Sequence, residues 1–304
     1  MRLFSKEAGM GIKKKKESES LFKWVIYVIA TLFCLYCILP FAVVIGSSFE
    51  TEANFETSGF PVIPKDFTTR AYSMVLGDAQ IFRSYGVTIF ITGVGTIFSM
   101  ILTVSMAYPL SLKKLRLRNY VTFFVYFTML FGGGLIPTYL LISKTLQLKD
   151  NIFVMILPVA FGAWNMFLMR NFFAGIPKEL SESAYMDGAH DLQILIKIIL
   201  PVSVPGIATI SLFYALGYWN QWFNAMLYID NKDLVPLQYL LMRMLRNAEA
   251  IREMARSTGV PLGDIPANSL RMATTVIAIG PVVLFYPFIQ KYFTTGLTIG
   301  AIKG

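Results

Sequence analysis

The sequence predicts an all-α protein that crosses a membrane with six helices. Hydrophobic residues make up 55% of the 304 residues and charged residues 15%, and the mean hydropathy is +0.59. Because a soluble chain is usually about 25% charged, so few charges could not cover a water-exposed surface. The composition therefore excludes a soluble enzyme, a disordered chain and a disulfide scaffold.

Six long uncharged stretches are predicted to span the membrane. About 20 apolar residues, each rising 1.5 Å along a helix, cross the hydrocarbon layer, and none of the stretches alternates as strands do. Residues 1–23 are interpreted as a basic tail rather than a cleaved signal, and residues 24–304 as the transmembrane domain. The six spans are Val25–Gly46, Gly86–Leu110, Val121–Leu141, Ile152–Met169, about Ile194–Tyr218 and about Met272–Gln290.

The distribution of charge predicts the orientation. An even number of spans places both termini on one side, where this topology puts 16 bases and 7 acids, against 11 and 11 on the other. The net charge is then +9 on one side and 0 on the other. By the positive-inside rule both termini are predicted to be cytoplasmic. Topology thus explains the net charge of +9 without nucleic acid as a partner.

The residues do not predict bond chemistry or a metal site. No G-x-x-x-x-G-K-[ST] run is present, and His190 is the single histidine, so a P-loop, a multi-histidine metal site and a serine–histidine triad are not expected. Cys34 and Cys37 form a C-x-x-C pair in the first span, which we interpret as helix-packing residues. Acids are absent from the span interiors, which disfavours an ion-driven carrier.

The segment of residues 176–193 is predicted to form a short helix at the cytoplasmic membrane face. Pro177 suits a first turn and acids follow it, as the helix dipole favours. Leu180, Ala184 and Met186 are predicted to share an apolar side, and Gly188 to end the helix with a positive φ. On these residues alone, an ordinary interfacial helix remains an alternative.

This segment resembles the EAA motif of ABC importer permeases. Glu182-Ser183-Ala184, then Asp187-Gly188-Ala189, then Leu200-Pro201 are similar to E-A-A, three residues, G, and a later L-P. The C-terminal run GLTIGAIKG is similar to the ending of sugar-importer permeases related to the maltose transporter. The runs FGGGLIPTYLLI and YWNQWFNAMLYI resemble the LplC-like branch, which is associated with polysaccharides and complex oligosaccharides.

The resemblance implies a MetI-like permease fold and an ATP-driven importer. It implies that the EAA segment is a coupling helix that docks in a cytoplasmic ATPase, that ATP and Mg²⁺ belong to that ATPase, and that this chain holds no cofactor. It also implies a second homologous permease, two ATPase subunits, an extracellular binding protein and an oligosaccharide substrate. The coupling residues are then Glu182, Ser183, Ala184, Asp187, Gly188 and Ala189.

Two groups of residues are candidates for the substrate path. Glycine and proline can unwind a span and expose backbone groups to a cavity, although close helix packing is an alternative for the glycines. Aromatic rings and amides suit sugars, but an aromatic belt or a docking surface is an alternative for those residues. The candidates are Gly133 and Gly134 in the third span, and Trp164, Asn165, Trp219, Asn220, Trp222 and Asn224 near the fourth and fifth.

The outer segment of about residues 219–271 is predicted to contain a solvated helix over Leu234–Arg256, where Leu, Met and Arg recur at helical spacing. Its charges balance, which suits a docking face rather than an anion trap. Two rival functions remain open: an importer permease for a non-sugar solute, and a membrane enzyme or scaffold.

Overall fold

The computed structural model describes the backbone of residues 2–258 and 266–301; the side chains of residues 2–21, 56–58 and 285–301, and of a few residues between 252 and 258, are outside that description. The regular secondary structure of the described residues is entirely helical; they contain no β-strand, only an isolated antiparallel bridge between Glu50 and Phe67. This confirms the predicted all-α class. The chain divides into two compact units, residues 1–73 with 260–276 and residues 74–259 with 277–304.

Within the described residues, three helices are long and apolar enough to cross a membrane as single segments. They contain the first, second and sixth predicted spans. Helix α1 begins at residue 2 of the chain. No break in secondary structure therefore marks the predicted end of the basic tail at residue 23. The apolar segments are Phe22–Ser47 in α1 (Arg2–Ser47), the whole of α4 (Ala79–Ser111), and Ala267–Leu284 in α14 (Ala267–Ala301).

The other three predicted spans are bent helix pairs rather than straight helices. The bends measure 108°, 52° and 83°, so the chain crosses the membrane six times if each pair counts as one span. The pairs are α5 (Arg118–Leu130) with α6 (Leu135–Leu140) and its π-helical extension Leu141–Thr145; the 3-10 turns Ile152–Met155 and Leu157–Val159 with α7 (Ala163–Ala174); and α9 (Asp191–Ile194), a π-helical turn (Leu195–Ile199) and α10 (Leu200–Val202) with α11 (Val204–Trp219).

Proline and glycine account for each bend. A proline lacks the N–H that a helix interior needs and its ring collides with the preceding turn. Pro158 and Gly162 lie at the second bend, and Pro201 and Pro205 flank Ser203 at the third. At the first bend the backbone of residues 131–134 is non-helical, and Gly134 has a φ of +82°.

The first unit is organised around a buried carboxylate. Glu50 is fully buried, and its oxygens accept hydrogen bonds from the backbone N–H of Lys65 at 2.7 Å, from that of Thr51 at 3.0 Å and from the Asn54 amide at 2.7 Å. Burial by itself raises the pKa of Glu50, but these donors outweigh it and lower the pKa to about 2. Helices α2 (Glu52–Ser58) and α3 (Arg70–Leu76) flank this turn, so the predicted outer loop is a folded segment.

The second unit is built on α4, which packs against α11 and α7. Small residues on α4 permit the close approach. A Cβ at Gly95 would lie 2.6 Å from the Tyr218 ring, so only glycine fits there. The predicted outer helix is present as α13 (Leu237–Thr258), preceded by α12 (Phe223–Tyr228), and its first backbone N–H donates to Thr88 Oγ1 at 2.8 Å.

Candidate functional site

The segment with the EAA-like residues folds as a short helix with a defined end. Helix α8 (Glu179–Met186) is followed by Gly188 at a φ of +80°. The N–H of Ala189 donates to the carbonyl of Ala184 at 2.9 Å, and that of Gly188 to Tyr185 at 3.0 Å. These two bonds constitute a Schellman motif. The predicted helix and the positive φ of its terminal glycine are therefore confirmed.

The exposed surface of α8 differs in one respect from the prediction. Ala184 is buried, but Leu180 is 40% exposed and Met186 is 87% exposed. Residues two positions apart in a helix lie about 200° apart around its axis. Met186 therefore could not share the side of Ala184, and the predicted apolar side is wrong at Met186. Of the other predicted coupling residues, Glu182, Ser183, Asp187 and Gly188 are exposed and Ala189 is half-buried.

A capping interaction begins the helix that follows α8, α9 (Asp191–Ile194). His190 Nδ1 accepts the backbone N–H of Gln193 at 3.3 Å, and the Gln193 side chain accepts the N–H of His190 at 3.3 Å. This is a reciprocal capping box with histidine in the place of the usual serine or threonine. The structural role predicted for His190 is thus confirmed, and the turn between α8 and α9 has few free torsions.

A lysine of the loop between α4 and α5 contacts both helices. Lys114 Nζ donates to Tyr185 Oη at 2.6 Å and to Asp191 Oδ1 at 2.9 Å, and it lies 4.4 Å from the centroid of the Tyr185 ring. The Tyr185 hydroxyl also bonds to Asp191. The hydrogen bond to Tyr185 and the pairing with Asp191 raise the pKa of Lys114, so this ammonium stays charged.

Two arginines converge on the C-terminal end of α4. Arg118 Nε donates to the carbonyl oxygen of Leu110 at 2.9 Å, and Arg170 Nε donates to the same oxygen at 3.0 Å. The last carbonyls of a helix lack intrahelical partners and carry partial negative charge. The guanidinium groups satisfy this acceptor from α5 and from α7, which ties three helices together at one atom.

The glycine candidates for the substrate path lie at the first bend. Gly133 and Gly134 are exposed, and a Cβ on Gly132 or Gly133 would meet nothing within 4 Å. Close packing against this chain therefore does not explain the glycines. Of the two alternatives for these glycines, the structure shows the unwound backbone. The carbonyl oxygen of Gly134 already accepts from Thr138 Oγ1 at 2.7 Å, so the backbone groups of Gly133 are the better candidates for contact with a ligand.

The aromatic and amide candidates are not one cluster. Trp219 is only 8% exposed, and its Nε1 donates to the carbonyl of Ala278 at 3.1 Å, which is a packing role. The Asn220 amide bonds to Leu216 and Gln238. By contrast Trp164 is 63% exposed and Trp222 40%. Asn165 and Asn224 are half-buried.

Sequence reasoning missed a buried pair of tyrosines. Tyr214 Oη accepts the N–H of Gly162 at 3.0 Å and bonds to Thr103 at 2.7 Å, and the Tyr218 hydroxyl bonds to Ser99 at 2.8 Å. Tyrosines four apart on α11 thus face hydroxyls four apart on α4. This matching i, i+4 spacing was the available signal, because residues four apart share a helix face.

The described residues hold no group of three or more metal-ligating side chains. Cys34 and Cys37 are free, exposed thiols on α1. The GLTIGAIKG run lies where side chains are not described, and its last three residues are outside the described backbone.

The bent apolar helices and the α8–α9 turn define a transport permease. The chain matches, over residues 8–299, the family described as the binding-protein-dependent transport system inner membrane component, and it belongs to this family. It is therefore a membrane-embedded transport subunit of an ABC importer with the MetI-like permease fold, rather than an enzyme or a scaffold.

Individual relatives match nearly the whole chain. It is 43% identical to the polygalacturonan/rhamnogalacturonan transport system permease protein YtcP of Bacillus subtilis, over 93% of this chain and 99% of that protein. It is 42% identical to protein LplC of the same organism, over 88% and 90%. A solved bacterial ABC transporter involved in the import of the acidic polysaccharide alginate has a chain 35% identical, with a TM-score of 0.76, over 91% and 98%.

Proposed function

We propose that this chain is the permease subunit of an importer for an oligosaccharide derived from a polysaccharide. The observation that carries the substrate class is the near full-length similarity to a permease named for polygalacturonan and rhamnogalacturonan transport. The alginate importer supports the same class and adds an acidic polysaccharide. A non-sugar solute is the competing substrate.

Family membership implies a binding protein and an ATPase as partners. We further propose that the assembly contains a second homologous permease and two copies of the ATPase, that ATP and Mg²⁺ are bound there, and that both termini of this chain are cytoplasmic. The supporting observation for the orientation is the charge division of +9 against 0. Closure of the ATPase on ATP would then displace α8 and switch the spans between inward-facing and outward-facing states.

The coupling role is assigned to α8 and its terminal turn. Glu182, Ser183, Asp187 and Gly188 are exposed, as a surface that docks in a partner requires, and the Schellman end and the capping box hold the turn in one conformation. Met186, with 87% of its surface accessible, adds an apolar contact that the EAA resemblance did not indicate.

The substrate path is assigned to the unwound backbone at Gly133 and Gly134 and to the exposed rings of Trp164 and Trp222. Sugar hydroxyls need donors and acceptors, and free backbone groups at a broken span supply both. Trp219 and Asn220 are better explained by packing, because their polar groups already have partners.

The test of the substrate class is a calorimetric screen of the cognate binding protein. Neutral and acidic oligosaccharides, amino acids, metal ions and phosphate are titrated in parallel. Binding of one glycan series, together with uptake of the same glycan that stops when the ATPase is deleted, is the expected result. Binding of a non-sugar solute in place of every glycan would overturn the proposal.

A further inference from the structure

We propose that Lys114 is a positioning residue that makes the loop between α4 and α5 move together with α8 and α9. The inference rests on the proposed coupling role of α8. It concerns how a displacement of α8 reaches spans that are not joined to it by a short stretch of chain, and it is carried by the contacts of one side chain.

Helices α8 and α9, which Lys114 contacts, are held in a fixed arrangement relative to each other. The Schellman bonds end α8, the capping box begins α9, and the Tyr185 hydroxyl bonds to Asp191 across the turn. A helix end and a helix start joined by so many bonds should move as one body. Displacement of α8 therefore reaches α10 and α11 directly along the chain.

Lys114 connects this body to a different pair of spans. It lies 71 residues before Tyr185 and 77 before Asp191, and its ammonium bonds to both. Lys113 and Arg116 in the same loop are exposed and make no ion pair or hydrogen bond within the described residues. The polar connection from this loop to α8 and α9 is thus made by Lys114.

The loop that holds Lys114 begins at a contact that we call the node, where α4, α5 and α7 meet at the carbonyl oxygen of Leu110. It leaves α4 just after Leu110, whose carbonyl oxygen accepts from Arg118 of α5 and Arg170 of α7. A movement transmitted to Lys114 therefore acts on α4, α5 and α7 together. Without Lys114, α8 would retain its chain connections to α7 and α11 but lose its polar connection to the loop between α4 and α5.

The energetics favour a positional role over a contribution to stability. The side chains of Lys114 and Asp191 are 56% and 55% exposed, and exposed ion pairs contribute little to folding. Loss of the pair should leave the protein folded and assembled. What it should change is the relative position of two segments when the ATPase closes.

The test measures that position directly in the assembled transporter in nanodiscs. Nitroxide labels are placed at Tyr120→Cys at the start of α5 and Leu192→Cys in α9, which are 76% and 59% exposed, with Cys34 and Cys37 replaced by alanine. Pulsed electron paramagnetic resonance compares the nucleotide-free and vanadate-trapped states. In the labelled protein with Lys114 intact, we expect the distance between the labels to be the same in both states. In Lys114→Met we expect the distance to shift by about 2 Å, or its distribution to broaden, between the two states. A shift of about 2 Å is the size of helix movements in switching proteins.

Lys113→Met is the matched control, because it removes a neighbouring charge that has no partner, and it should keep the distance unchanged. Tyr185→Phe, which removes one hydroxyl, should reproduce part of the Lys114→Met effect. An unchanged distance in Lys114→Met, a state-dependent shift without any Lys114 substitution, or an equal effect of Lys113→Met would overturn the proposal. Failure of the coupling role of α8 itself is separable, because Gly188→Val would then leave transport intact.

Discussion

The phenolic oxygen of Tyr214 accepts the backbone N–H of Gly162 at 3.0 Å, at the point where the fourth span bends by 52°. A helix that breaks inside a membrane leaves backbone groups without partners, and each must be satisfied by protein. Tyr214 supplies that partner from α11 and bonds in addition to Thr103 of α4. The bend is thus stabilised by two other spans.

Replacing Tyr214 by phenylalanine should destabilise the transporter. The substitution keeps the ring but leaves the N–H of Gly162 buried without an acceptor, which costs about 1–3 kcal/mol. Thermal unfolding of the purified complex measures the loss. Tyr120→Phe, at a position 76% exposed, is the control and should unfold as the parent does; equal melting of the two variants would contradict the role of Tyr214.

Replacing Gly188 by valine should abolish coupling without removing the protein from the membrane. A φ of +80° costs a residue with a Cβ about 1 kcal/mol or more. A Cβ there meets nothing within 4 Å of this chain, so the bulk projects towards the partner. Uptake of the glycan found by calorimetry should fall sharply at normal abundance, and binding-protein-stimulated ATP hydrolysis should fall or become uncoupled.

Three variants calibrate that result. Gly188→Asn should retain more uptake than the valine variant, because asparagine tolerates a positive φ. Ser183→Ala restores the residue usual in the EAA motif and should be almost silent, whereas Glu182→Lys should impair uptake by replacing an acid in the first turns of α8. Full uptake by Gly188→Val with ATPase still bound would remove the coupling role from this loop.

The first unit should be insensitive to pH near neutrality and lose stability only in strong acid. Glu50 has its pKa lowered from 4.5 to about 2. Its contribution is fully present above 4.5, and it is lost as the pH falls from there through about 2. Hydrogen exchange of residues 47–73 followed against pH measures this directly.

The corresponding substitution is Glu50→Gln. The amide nitrogen of glutamine would replace either Oε2, which accepts the N–H of Lys65, or Oε1, which accepts the N–H of Asp66. In either orientation a backbone donor loses its acceptor, so we expect a local cost of about 1–3 kcal/mol and faster exchange in residues 47–73. Glu253→Gln, at an exposed carboxylate of α13, is the control. If both variants exchange alike, Glu50 does not organise the segment.

The predicted orientation can be measured by labelling cysteines from outside intact cells. In a background without Cys34 and Cys37, cysteines at Ser18 and Gly304 should resist a membrane-impermeant thiol reagent, and one at Ser58 should react. The reason is the net charge of +9 on the side of the termini and 0 on the other. Reaction at Ser18 in sealed cells would reverse the topology.

The outer helix α13 should guide the binding protein. Arg243 lies 5.7 Å from the Tyr239 ring, and Arg246 contacts Met226; neither has a carboxylate partner within the described residues. Rim charges mainly set association rates. Arg243→Glu with Arg246→Glu, extended to Arg252, whose side chain is outside those described, should slow association in a salt-dependent way. Arg116→Glu on the cytoplasmic loop is the control, and unchanged association would place docking elsewhere.

Hydropathy located the spans but not their shape. The predicted fourth span covers the bend at Pro158 and Gly162, and the predicted fifth covers that at Pro201 and Pro205. Apolar composition is the same for a straight and a bent segment. Only the third span was predicted to unwind, because three consecutive glycines leave the backbone few side-chain constraints.

Some residues of the candidate site could be predicted from the sequence and others could not. Gly188 was predictable because a positive φ after a short helix is a property of a few consecutive residues. The contact of Lys114 with Tyr185 was not predictable, because nothing in the sequence of this loop distinguishes Lys114 from Lys113. Trp219 was named as a sugar candidate, whereas the fold buries it against Ala278.

The sequence by itself determined that this protein crosses a membrane and where a short helix lies beside it, since apolar runs, charge asymmetry and a terminal glycine are local properties. Tertiary structure decided which of the proline- and glycine-containing spans bend, which polar atoms satisfy the backbone at those bends, and which lysine reaches α8. Those outcomes depend on atoms such as Tyr214 Oη and the Gly162 N–H, 52 residues apart, meeting in an interior where water cannot replace a missing partner.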